Sequence, residues 1–171
     1  MRAIVYHAQQ DYSAALTDFS KAIELQPEDG DNFFWRARIY LETGDTIAAC
    51  NDLNKACELQ PDDSVNLLWR GVAQRLLGDE EAAQSDWQRA AELLQTEEQD
   101  DHWHTKAARL ALLQGDPKTA RVHYTQALQT YTNLADMRTQ VEHLQRLARL
   151  FPEHTAIREL CDWLAAQLPE G

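Results

Sequence analysis

Three arginines in this 171-residue chain each stand 16 residues before an aspartate: Arg2 with Asp18, Arg36 with Asp52, and Arg70 with Asp86. At the fourth equivalent place the chain has Ala107 and His123, so both charges are lost together. A guanidinium and a carboxylate that occur together and vanish together read as a direct ion pair between two helices. These residues are structural ion pairs, not a catalytic dyad. Breaking such a partly buried pair from one side is expected to cost roughly 3–5 kcal/mol, because the surviving charge stays behind without its partner.

Other residue types that could do chemistry are sparse. His102 and His104 flank Trp103, and a two-residue spacing sends their side chains to different faces of a helix, so the two cannot reach one metal. Cys50, Cys57 and Cys161 show no C-x-x-C spacing and read as small, reduced thiols. The sequence has no Gly-rich phosphate loop, no H-E-x-x-H and no G-x-S-x-G. We therefore expect no enzyme, no catalytic residue, no cofactor and no metal.

The formal net charge is −12. Residues 1–100 carry 20 acids against 8 bases, whereas residues 101–171 carry 8 of each. An acidic body argues against nucleic acid or an anionic membrane as the main partner. No apolar run approaches the roughly 18 residues of a membrane span, and no signal-peptide pattern opens the sequence. With reduced thiols, this gives a cytoplasmic expectation.

The elements that position these residues follow from a repeat. Ala15, Ala49, Ala83 and Ala120 form one column and Ala22, Ala56, Ala90 and Ala127 a second, with Phe19, Leu53, Trp87 and Tyr124 between them. The period is 34 residues twice and then 37, which is the mark of stacked two-helix units. In the second copy the helices are expected at 31–43 and 46–59. Gly44 ends the first of them and Asp45 caps the next. Gly78-Asp79 and Gly115-Asp116 repeat the device, Pro117 takes the first helical position, and Gln10-Asp11 is a version without glycine. Ala3, Ala37, Gly71 and Ala108 on the first helices face the alanines of the second, so the helix axes can approach closely. Replacing one of these alanines with leucine should overpack the contact by roughly 1–3 kcal/mol.

The set Ala37, Tyr40, Gly44-Asp45, Ala49, Leu53, Ala56 and Pro61 resembles the tetratricopeptide repeat (TPR), and Ala3, Tyr6, Ala15, Phe19, Ala22 and Pro27 repeat the resemblance. The third copy departs from the pattern at Gln74 and Gln95, the fourth at Ala111 and Thr132. The resemblance implies an all-α fold, a right-handed α-α superhelix of about four helix-turn-helix repeats. The repeats would occupy residues 1–132, divided as 1–29, 30–63, 64–100 and 101–132. Residues 133–171 would form a C-terminal helix pair capping the solenoid, with Ile157, Leu160, Cys161, Leu164 and Leu168 as its apolar stripe.

In such repeats the first helices line a concave face that commonly receives an extended peptide or a helix. The resemblance places Phe34, Trp35, Arg38, Leu68, Trp69, Val72, Arg75, His102, Lys106 and Arg109 on that face. Most acids fall on second helices and turns, so the groove is expected to be basic and aromatic although the chain is acidic. One subclass clamps a chaperone C-terminal carboxylate with lysines, asparagines and an arginine. Its slots here hold Phe34, Arg38, Trp69, His102 and Lys106, and with both asparagines missing that clamp is not expected.

The function expected is a non-catalytic scaffold binding a protein or peptide partner, an acidic one included, with no nucleic acid and no membrane involved. The alternative is a self-assembly module forming homo-oligomers through its first repeat, whose opening helix starts late, at Met1.

Overall fold

The computed structural model describes residues 2–99, 102–130 and 134–168. The start of the first copy at Met1, the repeat boundary at 100/101 and the boundary at Thr132-Asn133 lie outside the described residues. Among the described residues the chain is all-α, with ten helices and no strand. They are α1 (Arg2–Ala8), α2 (Tyr12–Leu25), α3 (Gly30–Thr43), α4 (Thr46–Leu59), α5 (Ser64–Leu76), α6 (Glu80–Thr96), α7 (Trp103–Leu113), α8 (Pro117–Thr130), α9 (Leu134–Leu150) and α10 (Thr155–Ala165).

The turns inside the hairpins share one chemistry. Gly44, Gly78 and Gly115 all take φ +86°, the left-handed conformation that ends a helix without a Cβ clash. The aspartate that follows each accepts from a free N–H of the next helix: Asp45 from Ala48 at 3.0 Å, Asp79 from Ala82 at 3.0 Å, and Asp116 from Thr119 at 3.0 Å. The first hairpin keeps the cap, Asp11 on Ala14 at 3.1 Å, but puts Gln10 at φ +61° where the others have glycine. Between hairpins the same residue type starts the helices, with Asp29 capping α3 and Asp63 capping α5.

The chain divides into two compact units, Met1–Leu93 and Leu94–Gly171, and the division falls inside α6. In the first unit α1 with α2, α3 with α4, and α5 with the start of α6 form three hairpins. Ala3, Ala15, Phe19 and Ile39 make a core cluster, with Tyr6, Tyr12, Leu16 and Trp35 packed against it. Ala37, Ala49, Leu53 and Ala56 have no exposed surface, so the small columns are where helices touch.

The third hairpin shows how a column can exchange volume. Its bulky position is Trp87, fully buried, whose indole Nε1 donates to the Leu68 carbonyl at 3.1 Å. The facing small position is Gly71, where an added Cβ would lie 2.8 Å from Trp87 Cδ1. The largest ring of the column therefore sits against the one residue of the facing column that lacks a Cβ.

Polar links join successive hairpins in this unit. Tyr12 Oη donates to Glu42 Oε2 at 2.7 Å, and His7 Nε2 lies 3.0 Å from Glu42 Oε1. Gln60 Nε2 donates to Asp31 Oδ1 while Asn66 Nδ2 donates to Gln60 Oε1, both at 2.9 Å.

In the second unit α7 pairs with α8, and α10 packs on both α9 and α8. Ala108, Ala120, Tyr124 and Ala127 are fully buried. Ile157, Leu160, Cys161 and Leu164 of α10 are buried, while Leu168 beyond its end is half-buried. The helices α7 and α10 start at His102 and His154, neither of which makes a side-chain cap bond.

Candidate interaction faces and helix staples

The arginine–aspartate residues meet inside each of the first three hairpins. Arg2 donates from Nε and Nη2 to Asp18 at 2.7 and 2.6 Å. Arg36 does the same to Asp52 at 2.7 Å for both bonds, and Arg70 to Asp86 at 2.7 and 2.6 Å. These are two-pronged contacts, the planar fork of a guanidinium matched to both carboxylate oxygens. The hydrogen bond to Asp52 raises the Arg36 pKa, and that to Asp86 raises the Arg70 pKa. The hydrogen bond from Arg2 lowers that of Asp18.

The three staples differ in depth. The Arg2 side chain is 73% exposed, against 19% for Arg36 and 23% for Arg70, so solvent screens the first pair much more than the other two. Arg36 also donates from Nη1 to Ser20 Oγ at 3.1 Å, which ties the second hairpin to α2.

The residues expected on the first-helix face divide by depth as well. In the first unit, Leu68 is 2% exposed, Trp69 1% and Val72 0%. These three are core, and in this arrangement they support the face without forming its surface. Arg38 is buried too, its guanidinium carbon 3.9 Å from the Trp69 ring centre and 5.8 Å from that of Phe34. A slot on the repeat fixes the direction a side chain leaves its helix but not how deep it ends, and long arginine stems fold back onto rings. Phe34 and Trp35 remain half-buried, edge to face at 5.5 Å. Arg75 is half-buried, 3.1 Å from Glu80 and 5.4 Å from the Trp87 ring centre. The Trp69 N–H is buried and has no acceptor among the described residues.

In the second unit, Lys106 Nζ donates to Glu97 at 2.8 Å, and the buried Arg109 donates from Nε to the Thr105 carbonyl at 3.2 Å. His102 is exposed at the start of α7. The cations expected to line a groove thus already contact aromatic rings, carboxylates or a carbonyl within their own units.

Comparison of copies marks His123 only as the place where an aspartate is lost. The structure places its Nδ1 3.3 Å from Nδ1 of His104 across the α7–α8 hairpin, with Trp103 edge-on to both rings at 5.2 and 5.5 Å. Burial, aided by His104, lowers the His123 pKa. The signal was present in the sequence as two unshared positions, since His104 stands where the second and third copies have Phe33 and Leu67.

Among the described residues no cluster of three or more His, Cys, Asp or Glu side chains could hold a metal ion, and no helix is long and apolar enough to cross a membrane.

Residues 1–64 match the family model of the tetratricopeptide repeat. No curated protein matches the sequence. Among solved structures, the MamA protein aligns over 96% of this chain and 84% of its own, at 15% identity and a TM-score of 0.52. A tetratricopeptide repeat protein from Parabacteroides merdae aligns over 96% of this chain and 60% of its own, at 18% identity and a TM-score of 0.53. A chain of the APC/C hetero-tetramer Cut9–Hcn1 gives a TM-score of 0.65 at 20% identity, over 96% of this chain and 32% of its own. At such identities the likeness is one of fold. Residues 1–64 thus match the tetratricopeptide repeat, and the described residues beyond them continue in the same all-helical hairpin fold.

Proposed function

We propose that this protein is a non-catalytic interaction scaffold whose first-helix faces receive a partner peptide or helix, with an acidic segment as the favoured class. Tetratricopeptide repeats serve in general as protein-interaction scaffolds. The observation that carries the reading lies in the first unit, where half-buried Phe34 and Trp35 stand beside a guanidinium held on the Trp69 ring. Rigid aromatic rings beside an ordered arginine lose little entropy when a partner arrives, and Trp and Arg dominate binding energy at interfaces. In the second unit Lys106, bonded to Glu97, lies on α7, and His102 is exposed at the start of that helix.

Calorimetric titration with a panel of acidic, neutral and basic peptides tests this. Phe34→Ala and Trp35→Ala should each weaken the best acidic binder by about 2 kcal/mol, the scale of an interface anchor. Equal affinity in both variants would remove the first-helix face as the site. Arg38 and Arg109 are poor choices for charge reversal, because both are buried and would be lost as structure first.

Self-association is supported by a separate observation: Ile4 and Val5 on α1 are 40% and 52% exposed. If it occurs there, Ile4→Asp with Val5→Asp should shift the sedimentation coefficient to that of a monomer, and an unchanged value would rule that face out. Three free cysteines fit a reducing compartment, which we take to be the cytoplasm.

A further inference from the structure

We propose that His104 and His123 form an acid-sensitive clasp on the fourth hairpin. The Nδ1–H of His104 donates to the bare Nδ1 of His123, and a proton taken up at that acceptor opens the bond. The inference concerns the α7–α8 hairpin of the second unit and is independent of the interaction face. The two Nδ1 atoms stand 3.3 Å apart and the ring centres 5.6 Å apart, so the rings meet head-on through these nitrogens. A hydrogen bond between two imidazoles needs one protonated and one bare nitrogen at the contact, which fixes opposite tautomers for the two neutral rings.

The choice of donor and acceptor follows from where a further proton can go. The donor ring keeps a lone pair on Nε2, so His104 can gain a proton there, become a cation and still hold the bond. The acceptor has its Nδ1 lone pair inside the contact. A proton on that atom of His123 replaces the bond by two N–H groups pointed at each other, on two cations once both rings are charged. His123 is the ring that resists protonation, since burial first and His104 second lower its pKa from the ordinary 6.5. Its side-chain hydrogen bond with Gln126 acts the other way and offsets this only in part. The lowered value means that the unfolded chain takes the proton first. The clasp's contribution to stability is therefore whole above pH 6.5 and is lost as the pH falls through the lowered value.

Trp103 packs edge-on to both rings at 5.2 and 5.5 Å, and its indole donates to the Leu94 carbonyl of α6, so the rings have little room to turn away. The charges around the pair are engaged elsewhere. Lys106 of α7 bonds Glu97 just beyond α6, Arg109 bonds the Thr105 carbonyl, and Arg121 of α8 lies 4.5 Å from the Trp163 ring centre of α10. Arg158, Glu159 and Asp162 of α10 are exposed. Among the described residues no carboxylate acts on His123, so nothing offsets a second positive charge. The first three hairpins hold an arginine–aspartate pair at this place, and histidine is the side chain whose charge ordinarily changes between pH 5 and 8. Mild acid can thus release the staple of the fourth hairpin and leave the other three closed.

Long-range nitrogen NMR of the histidine rings in the full chain at pH 8 tests the bond. Expected is a protonated Nδ1 on His104 and a bare one on His123. Lowering the pH to 5.5 should protonate the pair in two steps, with His123 last. Protection of the α7 and α8 amides against hydrogen exchange, corrected for the intrinsic rate, should fall with the second step. His123→Asn places an amide oxygen that can accept from His104 and binds no proton, so its α7 and α8 protection should be the same at pH 5.5 as at pH 8. The wild-type spectra need no variant and decide the matter even if that one folds poorly. Two rings with the same tautomer, a His123 that takes its proton first, or α7 and α8 protection unchanged by acid would each overturn the proposal. An equal loss of protection in His123→Asn would overturn it too.

Discussion

The second hairpin and the fourth solve one problem in different ways. In α3–α4 a forked Arg36–Asp52 pair crosses the interface and the first helix is capped by Asp29. In α7–α8 the same slots hold Ala107 and His123, and the first helix begins at His102 with no side-chain cap. Both hairpins keep the alanine columns and the glycine turn. Packing of small residues is therefore the shared requirement, and the charges are an addition that one copy does without. A staple that can be deleted holds register more than it holds the fold.

Substitutions can break or sharpen that contrast, and the largest effect should come from packing. Gly71→Ala is expected to lose about 3 kcal/mol, the upper range for overpacking, because Trp87 is fixed by its bond to Leu68. Urea denaturation should show the loss, and adding Trp87→Leu should restore most of it. Without that rescue, the steric account fails.

Burial of Cys57 pushes its thiol up to about 11 from 9.0. At pH 8 the folded chain should hold about a hundredfold less Cys57 thiolate than the unfolded chain, because each pKa unit is a factor of ten. Alkylation at Cys57, followed by mass spectrometry, should be slow in the native protein and should speed up in denaturant. Equal rates would contradict the burial.

Arg36→Ala should cost about 2 kcal/mol, below the value for a fully buried pair since the guanidinium retains some solvent. His123→Ala in the fourth hairpin should cost less, measured by thermal unfolding. The reverse order would mean the histidine pair is the stronger clasp.

The smallest effect concerns a turn. Gln10 occupies the left-handed region where three glycines stand elsewhere, so Gln10→Gly should stabilise the first unit by about 1 kcal/mol. Hydrogen exchange of the α1 and α2 amides would register the gain as slower exchange.

Much of this could be read from the residues. The period gave the hairpins, and Gly44-Asp45 gave a turn whose geometry is now visible in φ and in a 3.0 Å cap bond. The spacing of Arg36 and Asp52 pointed at two side chains that lie 2.7 Å apart. Depth was not readable. Arg38 and Val72 share their slot with Ile4, which is 40% exposed, yet they are buried, because burial depends on what lies opposite and a single column does not say. The His104–His123 approach was missed for a related reason. In sequence His104 stands beside His102, whereas its partner across the hairpin lies 19 residues away.

The fit of Trp87 against Gly71 has a bearing on how these copies diverged. Neither residue can move toward the pattern of its sister repeats alone: an alanine at 71 strikes the ring, and a smaller residue at 87 leaves a hole beside glycine. Residues 71 and 87 therefore form one packing unit, in which a change at either is relieved by a matching change at the other.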